Sequence, residues 1–591
     1  MGHGGRATEA AGHDGATRRD LMMGAALAAG GIGAGALLSA EVAEAASSGD
    51  YISVKDAAYG ATGNGTTDDG PAIRSAITAA PTGGAIVFPP GTYRIDLGSA
   101  SGLIFSKSLT FIGLGDAVLK ATPDTGFAVD RDMIRVTGSA DFTMRGLTVA
   151  GPSAYATGTA NGYCNGLKAT TTGKLLVDTC VFKRWTTGAI HFQGVGSRVR
   201  VRNTEIDGGL GGAKFSTGIL AAVNGASLDV EGCWIHDVGS ATEDPNHYHG
   251  IYSYTGTDVS IRGTAFGKVY EGRQVQLYYG STPPTPARHV LIEGCYFDAT
   301  DGATIHGIVT SDLTMTKIYD CTFRGHQRAC VLIHGAIDMI GCDVQGRTDG
   351  LFYLLRADET ASDPGHTYVP RGTVTNCRFT GEPDKDVILS EPDGDLRFIG
   401  CEFTSAADEA IEVGHATVRL TVADCSFTGA GAAAIQVDDG AAAIAVRDCR
   451  FGNPGHAVQS QGTAIARVLL AGNDFSQEDE SFDYVNFPTE FLEEGNWGAG
   501  GGARWQDVAS AATVTLPPLG GLLRVTGATS ITSIAASWNG RRVTLRFAST
   551  PTLTKGSNLK LASSLVATAD DTIELVCDGT NWYEMSRSAN S

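Results

Sequence analysis

Charge is scarce in this 591-residue chain, at 18% of residues, and it shows no basic excess: 44 Lys and Arg stand against 64 Asp and Glu, for a net −20. That excludes nucleic acid as the main partner, and it leaves any anionic polymer to be held by a local patch of cations. Long amphipathic patterns are missing, so helices are not the principal element. Past residue 46 no run approaches the roughly 20 apolar residues of a membrane-spanning helix. No two cysteines form a C-x-x-C pair, which removes one metal and redox signature. The leucine framework of leucine-rich repeats is absent, and so is any fixed calcium-loop motif. What the chain does have is glycine, 79 residues of it, among short β-branched runs. That composition points to β structure with many turns.

The first 46 residues read as a targeting segment. Arg18 and Arg19 precede a Gly/Ala-rich apolar stretch, and Ala43-Glu44-Ala45 supplies an A-x-A cleavage site. The pattern resembles a Tat export signal. The expectation is a secreted, extracellular protein with no stable membrane anchor after cleavage.

A short phrase then recurs: "VDTCVF", "VEGCWI", "IEGCYF", "IYDCTF", "VTNCRF", "FIGCEF", "VADCSF", "VRDCRF". Its cysteines, with that of "MIGCDV", are Cys180, Cys233, Cys295, Cys321, Cys342, Cys377, Cys401, Cys425 and Cys449. Thr204, Thr264 and Asn473 take the same slot, and from Cys377 to Asn473 every step is 24 residues. Each period reads strand, turn, strand, turn, which suits a parallel β-helix solenoid. Successive coils lie one strand spacing apart, about 4.8 Å, so each cysteine stacks on its copies inside the cylinder. Such stacking gives poor disulfide geometry and favours buried free thiols. The phenylalanine two places on forms a second stack. Cys164, Cys330 and Cys577 lie off the ladder.

The mature chain opens with "VKDAAYGATGNGTTDDGPAIRSAITAA" and continues into "GGAIVFPPGTYRI". Asp69 is placed to cap a helix with Pro71 in its first turn, and Ala72, Ile73, Ala76 and Ile77 make its apolar face. That helix would plug the open end of the solenoid. Through Gly63, Gly65, Asp68, Asp69, Ala72, Ile73, Pro89, Pro90, Gly91 and Tyr93 this stretch resembles the pectate-lyase-superfamily (pectate lyase 3-like) right-handed β-helix proteins. The resemblance implies an all-β, right-handed parallel β-helix with an N-terminal capping helix. It implies an extracellular polysaccharide as partner and admits Ca²⁺ as a cofactor. Polysaccharide lyases, glycoside hydrolases, epimerases and phage tailspikes share that fold, so function must come from the site. The expected layout is a signal at 1–46, a cap at 47–100, the β-helix at 101–497, a Gly-rich linker at 498–505 and a C-terminal β module at 506–591. In the module, Trp582 and Tyr583 are read as either a sugar platform or core aromatics.

One strand of each coil alternates inward apolar residues, such as Ile190, Ile219 and Ile251, with outward neighbours. The outward row is expected to be exposed and to include His191, Tyr252, Gln276, Tyr278, His306, His334, Tyr353 and Arg356. The longest insertions flank this strand in coils 188–372, where a binding wall is expected. β-Elimination on a uronate needs a base at C5, a cation at the carboxylate and a proton donor to the leaving oxygen. His249, Tyr252, Arg273, Glu271 and His306 are the catalytic candidates. His191, His247, Tyr254, Gln276, Tyr278, Tyr353 and Arg356 are the substrate-binding candidates. No metal ligand set is assigned. Arg198, Arg200 and Arg202 alternate along one strand and offer an anion-binding edge or a solvated one.

Two rivals stand beside the lyase reading. One is a glycoside hydrolase or fructan-type transferase using two turn carboxylates among Asp237, Glu243, Glu271 and Asp301. The other is a non-catalytic, tailspike-like carbohydrate binder. The later coils, with short turns, read as scaffold.

Overall fold

The structure is a computed structural model. It describes residues 51–590 except 99–101, 124–129, 153–163, 186, 195, 209–215, 222–225, 240–247, 254–256, 278–288, 302–303, 311–314, 348–352, 358–368, 382–384, 405–407, 430, 439, 453–454, 463–464, 477–479, 485–487, 499–504 and 518. Each coil contributes three strands, and each strand pairs in parallel with its counterpart one coil on. Around residue 420 these strands are Arg419–Ala423, Ser426–Thr428 and Ala433–Val437. Leu420 lies opposite Ile444, Phe427 opposite Phe451 and Ile435 opposite Val458. The third strands of successive coils form one sheet of 15 strands, here called the third sheet. The chain is a right-handed parallel β-helix, as the repeat and its resemblance imply.

The cysteine phrase is explained by the bend between the first two strands. The residue before each rung is left-handed, with φ from 47° to 67° at Thr179, Asn203, Gly232, Gly263, Gly294, Asp320, Gly341, Asn376, Gly400, Asp424, Asp448, Gly472 and Gly495. Gly, Asn and Asp tolerate that conformation best, which is why they dominate the slot. The rung that follows points inward. Its thiol hydrogen-bonds a carbonyl two residues back, as Cys449 Sγ does to Arg447 O at 3.1 Å. Asn473 does more: its Oδ1 accepts from Cys449 N at 3.0 Å, and its Nδ2 donates to Val446 O at 3.0 Å. One further rung, Asn496, extends the ladder and accepts from Asn473 N at 2.9 Å. All twelve cysteines are buried free thiols. Burial pushes the Cys180 and Cys233 thiols up to about 12, so they stay protonated and inert.

The phenylalanines stack as expected. Phe379, Phe403, Phe427, Phe451 and Phe475 follow one another with ring centroids 4.7–5.2 Å apart. Phe266, Phe297 and Phe323 form a second run at 4.8 and 4.6 Å.

At the N-terminal end, helix α1 (Gly70–Ala79) buries Ile73, Ala76 and Ile77. Asp69 stands at the N-cap position, but its carboxylate does not cap. It accepts instead from Thr62 N at 2.7 Å and Gly63 N at 3.0 Å, so it ties down the preceding glycine turn. At the other end, a six-stranded sheet with its own core begins at Gln506. It meets the last coil through the Phe491–Trp538 ring contact (4.2 Å) and through Gly520 N donating to Glu493 Oε2 (3.0 Å). Leu519 is buried in the main core. Trp582 is a core aromatic, fully buried with Nε1 donating to Ala535 O at 3.0 Å, while Tyr583 stays exposed.

Candidate functional site

The third sheet carries eight of the twelve catalytic and substrate-binding candidates on two parallel lines. Its inward line runs Ile190, Ile219, Ile251, Val275, Ile308 and Val331, all fully buried. On one side of it, register places Thr217, His249, Arg273, His306 and Ala329 in line. On the other side, Lys168, His191, Leu220, Tyr252, Gln276, Val309 and Leu332 are in line.

His249 and Tyr252 are three residues apart, which on a regular strand would send them to opposite faces. Here the pairing skips Gly250, as it skips Gly218 before it. A local bend of this kind returns both side chains to one face. A Cβ on Gly218 would stand 2.4 Å from Gly250 O, and one on Gly250 would stand 2.5 Å from Gln274 O, so the bend requires glycine in these coils. The result is a direct stack: the His249 and Tyr252 rings lie 4.7 Å apart at 15°. Arg273 is one coil further on, opposite His249, and His306 is opposite Arg273.

The row faces out from the coil and is only partly open to water, at the half-buried Tyr252 and Arg273. His191, His249, Gln276 and His306 are all buried, because side chains one strand spacing apart cover one another. The expectation of an exposed row is corrected for His191, Gln276 and His306, while Tyr252 is half-buried. Burial, and then the charge of Lys168 alongside, lowers His191 to about 4, so it is neutral near neutral pH. Both its ring nitrogens and Gln276 Oε1 lack a hydrogen bond among the described residues. His334 falls beyond the strand Ala329–Leu332, off the row. Glu271 is exposed in a left-handed turn (φ 44°) and is likewise off the row. Tyr353 and Arg356 hold the matching backbone positions, opposite Ala329 and Leu332. His247, Tyr254, Tyr278 and Glu243 lie outside the described residues.

Two of the carboxylates proposed for hydrolysis, Asp237 and Asp301, are elsewhere and engaged. Asp237 Oδ2 sits 2.7 Å from His236 Nδ1, and Asp301 pairs with Lys268 at 3.3 Å. Between Thr217 and Ala329 neither line of the third sheet holds an Asp or Glu.

The arginine edge is likewise spoken for. Arg200 pairs with Asp229 at 3.0 Å and Arg202 with Asp178 at 2.8 Å, and Arg262 joins Asp229 to Glu293. This is a ladder of alternating charge along the first strands, which disfavours the anion-binding reading.

Three features escaped the sequence reading. His326 lies inside the cylinder with Nε2 2.7 Å from Gln274 Oε1, and burial lowers it to about 3. Asp207, His236 and Asp237 gather on the second strands, as a group that could hold a metal. Burial alone would lower His236, but hydrogen bonds to Glu205 and Asp237 outweigh it and hold its pKa raised. Glu409 and Glu412 occupy the site lines in the later coils, buried.

Comparison with known proteins bears on both fold and function. Residues 51–275 match the family model "Rhamnogalacturonase A/epimerase, pectate lyase-like", and residues 306–475 match "Right handed beta helix region". The mannuronan C5-epimerase AlgE5 of Azotobacter vinelandii is 35% identical over 130 residues, which is 20% of this chain and 12% of that protein. Among solved structures, the A-module of mannuronan C-5 epimerase AlgE6 from the same organism is 15% identical, with 76% of this chain and 99% of that chain covered and a TM-score of 0.30. A tailspike mutant of E. coli bacteriophage HK620 solved with a pentasaccharide is 10% identical, with 76% and 78% covered and a TM-score of 0.41. The stacked coils and the match over residues 306–475 give a right-handed β-helix, and residues 51–275 are similar to the pectate-lyase-like family model.

Proposed function

We propose that this protein acts on an acidic, uronate-containing polysaccharide by abstracting the proton at C5, with β-elimination as the outcome. One observation carries the reading. Two consecutive coils bring His249, Tyr252 and Arg273 onto one face, His306 follows in the next, and the lines they occupy hold no carboxylate between Thr217 and Ala329. A hydrolase needs two facing carboxylates. A C5 abstraction needs a base, a cation and a proton donor.

In this reading Arg273 pairs with the substrate carboxylate and draws charge out of the C5–H bond. His249 takes the proton. The electron pair forms the C4–C5 double bond as the C4–O bond breaks, and Tyr252, stacked on His249, protonates the leaving oxygen. His306, opposite Arg273, gives a second polar contact to the same sugar. A second outcome shares the first step: the proton returns to C5 from the opposite face and the sugar is epimerised. The 130-residue match to a mannuronan C5-epimerase favours keeping it in view.

The test follows absorbance and reducing ends together on a panel of acidic and neutral polysaccharides. Both rising means elimination. Incorporation of solvent deuterium at C5 with no new ends means epimerisation. New ends without absorbance mean hydrolysis and overturn the proposal. Export through residues 1–46 belongs to the same proposal. N-terminal sequencing of secreted protein tests it, and an intact Arg18-Arg19 on that protein counts against it.

A further inference from the structure

The two lines of the third sheet continue on the N-terminal side of His249. Register aligns Arg135, Lys168 and His191 on the line that later holds Leu220, Tyr252 and Gln276. They stand on the strands Arg131–Val136, Cys164–Ala169 and Gly188–Phe192. The neighbouring line holds Asp132, Asn165 and Gly188.

The first of these coils satisfies its own charges. Arg135 Nε donates to Asp132 Oδ2 at 2.6 Å, and Asn165 Nδ2 donates to Asp132 Oδ1 at 2.7 Å. The next two coils do not. Lys168 has Arg135 opposite on one side and His191 on the other, so no carboxylate stands opposite it in either neighbouring coil. The segments that enter and leave these two strands, 151–163, 170–173, 184–187 and 193–197, contain no Asp or Glu. His191 is 6% exposed and Asn165 2% exposed, and neither ring nitrogen of the one nor Oδ1 of the other makes a hydrogen bond among the described residues. Gly188 stands between them: a Cβ there would lie 3.3 Å from Asn165 Oδ1 and 3.3 Å from His191 Cβ. Buried polar groups left unmet are costly, and three such atoms in one place call for a partner from outside.

The groups that gather here are a cation without a counter-ion, a neutral imidazole with one donor and one acceptor, and an amide oxygen. An acidic sugar complements all three, with a carboxylate for the cation and hydroxyls for the acceptors. Half-buried Leu220, next on the line, offers apolar surface to a sugar ring.

We propose that Lys168, His191 and Asn165 form a further subsite of the cleft, which binds the carboxylate and a hydroxyl of another acidic sugar of the same polymer. It lies two coils before His249, about 10 Å along the solenoid, a span that an oligosaccharide covers and one sugar does not. Lys168 pairs with the carboxylate. It is half-buried on a flexible stem beside the covered imidazole, so its turn toward the ligand opens the ring to a hydroxyl. Beyond Gln276 the same line becomes apolar at Val309 and Leu332. The polymer is therefore gripped on the N-terminal side of the site. The substrate class rests on the uronate reading, whereas the subsite concerns binding and not the proton transfer.

The test uses the full chain carrying H249A, so that ligand is not consumed. Calorimetry measures binding of long oligogalacturonates and oligomannuronates and of their carboxyl-reduced, uncharged counterparts. Adding K168Q is expected to weaken the better uronate ligand about 10-fold and to leave the uncharged ligands unchanged, with K168R restoring most of the loss. H191A should weaken the same uronate. Circular dichroism melts confirm the fold of each variant. No loss in K168Q, or an equal loss for charged and uncharged ligands, overturns the subsite and leaves the uronate reading intact. If the parent chain binds neither uronate, both fall together. Lys168-dependent uronate binding by a chain whose wild type yields neither elimination nor epimerisation keeps the subsite and discards the proton-transfer reading.

Discussion

The coils around His249 and the coils from Cys377 to Phe475 share one interior and differ on one face. Inside, both stack a small rung residue after a left-handed bend, then a phenylalanine, then an aliphatic residue of the third strand. Outside, the line that holds His249 and Arg273 in one half holds Glu409 and His456 in the other, and the line of Tyr252 and Gln276 becomes that of Glu412 and Gln436. The interior must match from coil to coil because each layer packs only on its neighbours. The outer lines carry no such constraint. They inherit position from the fold and take their chemistry from the individual coil. The later coils are therefore regular in their core yet carry a buried polar row of their own, which a reading of them as plain scaffold overlooks.

The largest way to break this comparison is through turnover. H249A or R273A is expected to lower kcat/KM by about 10²- to 10⁴-fold, while E409Q leaves it unchanged. The reverse result in steady-state assays would move the site to the acidic half.

Next comes the shared interior. F427A should cost about 3–5 kcal/mol in denaturant unfolding, and F297A should cost a similar amount. A much smaller loss at Phe297 would mean the two runs are not equivalent cores.

Asp386 supplies a sharper contrast, because it is fully buried and its carboxylate accepts no hydrogen bond among the described residues. Burial raises it to about 8. Its folded pKa lies above the unfolded one, so the folded state holds the extra proton and stability falls as pH rises between the two values. The slope is at most about 1.4 kcal/mol per pH unit. D386A should therefore be more stable than the wild type, by a margin that grows from pH 5 to pH 8 in thermal melts. A margin independent of pH would show that the carboxyl does not titrate in this way.

Smaller again is N473A, at about 1–3 kcal/mol, for two buried backbone groups left unmet. Smallest is R200A, at about 1 kcal/mol or less, since Arg200 itself is largely exposed in its ion pair with Asp229.

Much of this was legible beforehand. The 24-residue period, the rung cysteines and the phenylalanine two places on all follow from the need to fill equivalent positions in stacked coils. Asn473 was legible as a rung for the same reason, while Asn496 was not, because its step is 23 residues and falls out of period. The role of Asp69 was misjudged because an acid before Pro71 fits an N-cap equally well. Only the folded turn shows its carboxylate taken by Thr62 and Gly63.

The sequence by itself determined the solenoid, since a repeated pattern of small, left-handed-tolerant and apolar residues leaves few other ways to bury its core. Tertiary structure decided what meets on the outer face. Residues 249, 273 and 306 are neighbours only because parallel register aligns them across coils of unequal length. His249 reaches Tyr252 only because the strand bends at Gly250. The convergence of Glu205, Asp207 and Asp237 on His236 is likewise a product of strand pairing and one left-handed turn. Spacing along the chain records neither, because insertions between coils change the count of residues without changing which side chains touch.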